Sequence, residues 1–189
     1  LGLVNTTIGE IAGSRGQTLI LNLLDQKGNK SHEKIVIRFE KYMVSNELYF
    51  MKIRGSKFVN VDGWFNFSAD KSDPFLSFHK SREDGSWLKT HETEVVMDNL
   101  NPIWKGFQLE SRKIDESDHL RPFKIECWDW QKSGKFKFIG EVIITIEDLK
   151  KTKPFSIDLK NQKKPKKKLG SLIFEDFAIT LKPDFLDYI

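Results

Sequence analysis

The sequence predicts an all-β protein, an antiparallel sandwich or barrel. Three observations carry that expectation. Apolar residues recur with a period of two in runs of strand length. Clusters of Gly, Pro, Asn, Asp and Ser separate those runs, as in DGW, KSDP, EDGS, NLNP and KSGK. Helical periodicity is weak along the whole chain.

In chain order, the runs are KIVIRFEKY (34–42), ELYFMKI (47–53), PFLSFHK (74–80), FKIEC (123–127), EVIITI (141–146) and SLIFEDFAITL (171–181). The alternation is plainest in FKIEC. Successive side chains of a strand point to opposite faces, so Phe123, Ile125 and Cys127 share one face and Lys124 and Glu126 the other. Two short segments, SRKIDESD (111–118) and IEDLKK (146–151), are each expected to hold a helical turn or two.

Composition bounds the function. The chain has 189 residues, of which 39% are hydrophobic and 31% charged. That suits one domain of ordinary size, or one with added pieces. No apolar run approaches the roughly 18 residues of a membrane span. Cys127 is the one cysteine, so no internal disulfide forms and a reducing compartment is expected. Its parity places it inward as a structural thiol, not a nucleophile.

The 31 basic and 27 acidic residues leave a formal charge of +4, unevenly spread. Residues 160–168, KNQKKPKKK, hold six lysines and no acid. Without them the balance is 25 basic against 27 acidic, or −2. A near-neutral domain therefore carries one concentrated cationic loop. That argues against a nucleic-acid binder with a broad basic face. An enzyme is not expected either. His32, His79, His91 and His119 show no metal-ligand spacing, and no P-loop, GxSxG or GxGxxG occurs.

An internal repeat divides the chain. LGLVNTTIGEI (1–11) resembles IGEVIITIEDL (139–149), LILNLLDQK (19–27) resembles FSIDLKNQK (155–163), and EKIVIRF (33–39) lies on GSLIFED (170–176). The offsets, 138, 136 and 137, nearly agree. Two copies of one unit account for that. Residues 1–44 would be the last strands of one copy and residues 45–182 a complete second copy.

Three segments carry a resemblance: KSDPFLSFHK (71–80), TEVVMDNLNPIWKGF (93–107) and ECWDWQKSGKFKFIGE (126–141). Their wording resembles C2 domains. With SDPFLSFHKSREDGSWLKTHETEVV, the late Lys-rich stretch and the closing FLDYI (185–189), the chain resembles the copine family, which carries two C2 domains in tandem before a von Willebrand factor type A domain. The resemblance implies an eight-stranded antiparallel Greek-key β-sandwich. It implies that residues 1–44 end a first C2 domain, that 45–182 form the second, and that 183–189 lead toward the type A domain. It also implies a cytoplasmic protein, peripheral to the plasma membrane, that docks on anionic phospholipid through calcium held by three tip loops.

The family's carboxylates are only partly present. Asp73 fills the position in SDP, and Asp129 the first position of the third loop. The first-loop Asp would stand six residues before Asp73, where Phe67 lies; Asp62 is the displaced counterpart, and Asp70 is nearer but off the family's spacing. Gln131 and Lys137 replace the two remaining carboxylates. Calcium takes 6–8 oxygen ligands, and its affinity follows ligand charge. Calcium binding by this domain is therefore expected to be weak or absent, with Lys137 near the ion's place beside Asp73 and Asp129. The N-L-N-P-x-W segment (Asn99, Asn101, Pro102, Trp104) is expected to shape the second tip loop.

The same loops carry rings: Trp64, Phe65 and Phe67 in the first, Trp130 and Phe136 in the third, with Lys135 and Lys137 beside them. Aromatic rings flanked by lysines suit a membrane interface. Lys160, Lys163, Lys164, Lys166, Lys167 and Lys168 form a second candidate surface, for anionic lipid or a protein partner. The alternative function is a calcium-independent protein-interaction C2 domain with intracellular partners. No nucleic acid is expected as a partner.

Overall fold

The computed structural model describes residues 2–15, 18–38, 45–60 and 71–182. The chain separates into two compact units: residues 1–42 with 82–86, and residues 43–81 with 87–189.

The second unit holds eight strands: β3 (Glu47–Ser56), β4 (Pro74–Ser81), β5 (Trp87–Glu92), β6 (Phe107–Glu110), β7 (Phe123–Trp130), β8 (Phe136–Ile144), β9 (Phe155–Asp158) and β10 (Ser171–Leu181). They form two four-stranded sheets, ordered β6-β3-β10-β9 and β5-β4-β7-β8. Every pairing is antiparallel. The eight-stranded antiparallel sandwich is thus what the sequence predicts.

The alternation in β7 explains how the sheets face each other. Phe123, Ile125 and Cys127 are fully buried, and they meet Tyr49, Met51, Ile53, Leu172 and Phe174 in one core. Each such apolar side chain contributes about 1.5–3 kcal/mol when fully buried. Burial also pushes the Cys127 thiol well up, which keeps it protonated and inert. Trp128 lies on the opposite, outer face.

Helix α2 (Ile146–Lys151) links β8 to β9. Thr145 and Asp148 form a capping box at its start. The run EVIITI therefore ends as a strand at Ile144, because Thr145 turns the chain and Ile146 opens the helix. The expectation of a helical turn or two within 111–118 is met by one short turn. Only Ser111–Lys113 form a 3-10 turn. Glu116 and Ser117 then adopt φ of 58° and 64°, which no helix continues. Asp115 is the physical reason: it turns inward, fully buried, and accepts the Tyr49 hydroxyl at 2.9 and 3.0 Å. β5 and β6 are strands that the period-two reading did not single out.

The first unit is a helix and a two-stranded ribbon: α1 (Ile8–Ala12), β1 (Thr18–Leu24) and β2 (Lys30–Arg38). The end of the run KIVIRFEKY lies outside the described residues. This unit repeats the order α2, β9, β10. Thr7 and Glu10 form a capping box that lies 138 residues before the Thr145–Asp148 box. Shifting β1 by 136 and β2 by 137 lays the pairs Leu19–Ile37, Ile20–Val36, Leu21–Ile35 and Asn22–Lys34 on Phe155–Phe174, Ser156–Ile173, Ile157–Leu172 and Asp158–Ser171.

Candidate functional site at the loop tip

Strand directions gather the loops at one end of the sandwich. β3 ends there and β4 begins there, joined by residues 57–73. β7 turns into β8 through residues 131–135, and β9 into β10 through 159–170. The chain between β5 and β6 runs along β4 to the same end, through backbone bonds from Val96 N–H to the Pro74 carbonyl and from Asn99 N–H to the Ser72 carbonyl.

The N-L-N-P segment clamps the start of the first loop. Asn101 Oδ1 accepts Lys57 N–H at 2.8 Å, and the Pro102 carbonyl accepts Gly55 N–H at 2.8 Å. Trp104 is buried beneath, its ring 6.1 Å from that of Phe58. Asp62, Asp70, Trp64, Phe65 and Phe67 lie outside the described residues.

Asp73 and Asp129 do come together. Asp129 Oδ1 accepts Asp73 N–H at 2.6 Å. The next residue, Pro74, pairs with Asp129 across the β4–β7 ladder, which fixes this approach. Asp129 is fully buried, while Asp73 is half-buried. Asp73 Oδ1 accepts Asp98 N–H at 2.7 Å. Asp98, at φ 52°, in turn accepts Lys71 N–H at 3.2 Å. The sequence reading missed Asp98; the Asp-Asn step of a turn was its only signal.

Gln131 contributes an amide in place of a carboxylate. Its Nε2 donates to Asp129 Oδ2 at 2.7 Å and to the Trp130 carbonyl at 3.2 Å. Both partners are acceptors, so the NH2 end must face them. Lys137 stands directly opposite Asp129 in the β7–β8 ladder. Opposed residues of an antiparallel pair lie on one face, Cβ atoms about 4.5–5.5 Å apart. Lys137 therefore shares the face of Asp129. Among the described residues, no three His, Cys, Asp or Glu side chains gather into a metal-holding group.

The β7–β8 turn is closed by Gln131 N–H to the Lys135 carbonyl, with Gly134 at φ +77°, where glycine is favoured. It presents Lys135 and Lys137 to solvent. Trp130 and Phe136 are opposed on the other face. Phe136 is 53% exposed, and its ring meets buried Phe75 edge-on at 5.3 Å. An exposed ring held by a buried one is a rigid apolar contact at the tip.

The lysine segment joins β9 to β10 at this same end. Leu159 and Leu169 are buried at its two ends. Asn161 is 7% exposed; its Nδ2 donates to the Ile139 carbonyl at 3.1 Å and its Oδ1 accepts Lys163 N–H at 3.0 Å. Gly140 allows that contact, since a Cβ there would stand 3.0 Å from the Lys160 carbonyl oxygen. Lys160, Lys163, Lys164, Lys166, Lys167 and Lys168 are all exposed. The structure thus brings the lysines, Phe136, Trp130, Lys135, Lys137, Asp73 and Asp129 to one end.

Comparison with known proteins gives the site its context. A protein-family model described as "C2 domain" matches residues 46–165. A solved structure titled "BON1-C2B" is 28% identical, with a TM-score of 0.60 over 72% of this chain and 94% of that one. A C2 domain of a plant Extended Synaptotagmin 1 is 17% identical, with a TM-score of 0.52 over 77% of this chain and 98% of that one. The latter likeness is one of fold. Among the described residues, no helix is long and apolar enough to cross a membrane.

Proposed function

The chain belongs to the C2 domain family, and from that membership and the chemistry of the tip we infer a membrane-docking module of a copine-like protein, which meets anionic phospholipid from the cytoplasmic side without a resident calcium ion. The C2 fold is usually a non-catalytic binding module.

One observation carries the ion-free reading. The Gln131 amide sits on Asp129 where the resemblance expects a further carboxylate, and Lys137 lies across the strand from it. Calcium needs 6–8 oxygen ligands. The described tip offers two of the expected carboxylates, a donor turned toward one of them, and a nearby cation. That donor set does not fit calcium. The amide and the backbone N–H groups instead satisfy the carboxylates that an ion would otherwise neutralise.

Rings and lysines then take over the docking. Phe136 and Trp130 offer aromatic surface at the end where Lys135, Lys137 and the lysine segment converge. Lysines near an anionic surface contribute about 1 kcal/mol each. Trp64, Phe65 and Phe67 belong to the same proposed surface by sequence.

Residues 1–44 are read as the closing part of a first C2 domain, 45–182 as the second, and 183–189, outside the described residues, as the lead-in to a type A domain. The shared helix–strand–strand order and ladder register support the repeat. Burial supports it too. Ile8 is 78% exposed and its counterpart Ile146 is buried; Ile35 is 38% exposed and Leu172 buried. Apolar positions left open in the first copy and covered in the second fit a unit that lacks its facing sheet.

Co-sedimentation of variants with phosphatidylserine vesicles, in chelator, tests the docking surface. Phe136→Ala and the removal of the lysine charges at 163, 164, 166, 167 and 168 should each reduce pelleting. Unchanged pelleting of both would remove the tip from the binding surface. No pelleting of the unmodified protein, with calcium or chelator, would favour the protein-interaction alternative.

A further inference from the structure

The outer face of the β5-β4-β7-β8 sheet holds a cleft that shares only Lys163 and Lys164 with the proposed docking surface. It lies between that face and the turn beginning at Asn161, with a volume of about 480 Å³. Ligand sites commonly measure about 300–1,000 Å³. Trp128, Phe138, Glu126 and Glu141 form one wall, Lys163 and Lys164 the other.

The first wall is preset. The Trp128 and Phe138 rings stand at 62° with centroids 5.0 Å apart, an aromatic corner. Trp128 Nε1 donates to Glu126 Oε2 at 3.1 Å, which fixes the indole. Glu126 is itself held by Lys124 and by His79 at 3.2 Å. Glu141 lies directly across the strand from Glu126. Its contact with the shared Lys124 is 3.7 Å, too long for a hydrogen bond. Two carboxylates beside one lysine give this wall negative character. The opposite wall is cationic.

A cleft with an aromatic, carboxylate-bearing wall and a cationic wall complements a zwitterion, not a polyanion. Aromatic faces attract quaternary ammonium groups. Lysines bind phosphate as point charges. We propose that this cleft binds the phosphocholine headgroup of a neighbouring lipid, with the ammonium in the Trp128–Phe138 corner near Glu141 and the phosphate against Lys163 and Lys164. Depth agrees. Trp128 is two residues from Trp130 at the tip, about 7 Å along the strand. The headgroup zone is about 5–8 Å thick on each side of the hydrocarbon core. The assignment to a membrane lipid rests on the docking reading above; the recognition chemistry does not.

A soluble probe separates the two. The full 189-residue chain is titrated with glycerophosphocholine while the Trp128 indole N–H resonance is followed. A saturable shift is expected, with glycerophosphoserine and inositol bisphosphate at least about tenfold weaker, which corresponds to about 1.4 kcal/mol. Trp128→Leu should abolish saturable binding, read by calorimetry. Because that change could disturb the sheet, Lys163→Glu with Lys164→Glu on the exposed turn gives a second variant. It should weaken glycerophosphocholine about tenfold while leaving free choline within about twofold. No saturable shift, or a stronger response to either anionic probe, overturns the proposal. Phe136→Ala, outside the cleft, should keep glycerophosphocholine binding whether or not vesicle binding is lost, so failure of the tip reading remains distinguishable.

Discussion

Replacing Gln131 by Asp recreates the carboxylate that the resemblance expects, and its cost can be worked from the structure. The change removes the 2.7 Å donation to Asp129 Oδ2. A hydrogen bond to a charged group contributes about 1.5–3 kcal/mol. It also sets a second carboxylate beside the first; like charges about 4 Å apart repel by about 4 kcal/mol at an effective dielectric of 20. Asp129 is fully buried, so salt screens it little, but the half-exposed position 131 lets the new side chain swing away. A net loss of about 3 kcal/mol is expected, or about 6–12 °C in Tm for a chain of this size. Adding Lys137→Asp removes the opposed cation and should convert the loss into a calcium requirement. Calcium at about 100 times its Kd would restore about 2.7 kcal/mol to the double variant. Thermal unfolding in chelator and in calcium reads both effects. A Gln131→Asp variant that loses nothing in chelator would refute this, as would calcium stabilising the unmodified protein as much as the double variant.

Glu126 gives a pH prediction. Its hydrogen bond to His79, then Lys124, outweigh burial and lower its pKa from 4.5 to about 2. A depressed carboxylate stabilises the fold fully above its unfolded value and loses that contribution as pH falls from about 4.5 toward 2. At about 1.36 kcal/mol per unit, the contribution is about 3 kcal/mol. Urea unfolding of Glu126→Gln should therefore differ from the unmodified protein near neutrality and converge with it near pH 2; parallel curves would contradict this. At the far end, Asp115→Ala leaves the Tyr49 hydroxyl only its longer bond to Glu47 Oε2 at 3.2 Å and removes the acceptor of Ser117 N–H, at a cost of about 2–4 kcal/mol. Chemical denaturation should show that loss with vesicle binding unchanged, and a change in binding would tie the two ends together. Gly140→Val should cost about 1–3 kcal/mol by overpacking, because its Cβ would press on the Lys160 carbonyl oxygen and, at 3.1 Å, on Leu159 Cβ. It should also loosen the lysine segment, visible as faster amide exchange at Asn161 and Lys163; an unaltered rate would place the anchor elsewhere.

Parity alone made the β7 core face legible, because Phe123, Ile125 and Cys127 alternate with charged residues. In the folded strand the same alternation continues and turns Trp128 and Trp130 outward. The register that sets Phe138 and Phe136 opposite them depends on a shift between Cys127 and Trp128 that leaves no mark in the sequence. The strand WLKTHE is half-buried without clean alternation, and FQLE is too short to show a period. The helical turn expected within 111–118 forms at Ser111–Lys113 and goes no further, because Asp115 finds its partner Tyr49 across the fold, 66 residues away. At the tip, the resemblance named Asp73 and Asp129 as neighbours. That Gln131 serves as a donor to one of them, and Asp98 as a donor to the other, required the folded loops.

Calcium-free docking is tested most directly by the affinity of the unmodified chain for phosphatidylserine vesicles. It is measured in chelator and in calcium as salt rises from about 0.1 M to about 1 M, where the screening length falls from about 10 Å to about 3 Å. Binding is predicted in chelator, changed by calcium less than about twofold. It should weaken at least about tenfold across the salt series, a change of about 1.4 kcal/mol. Binding that appears only with calcium would contradict the ion-free tip.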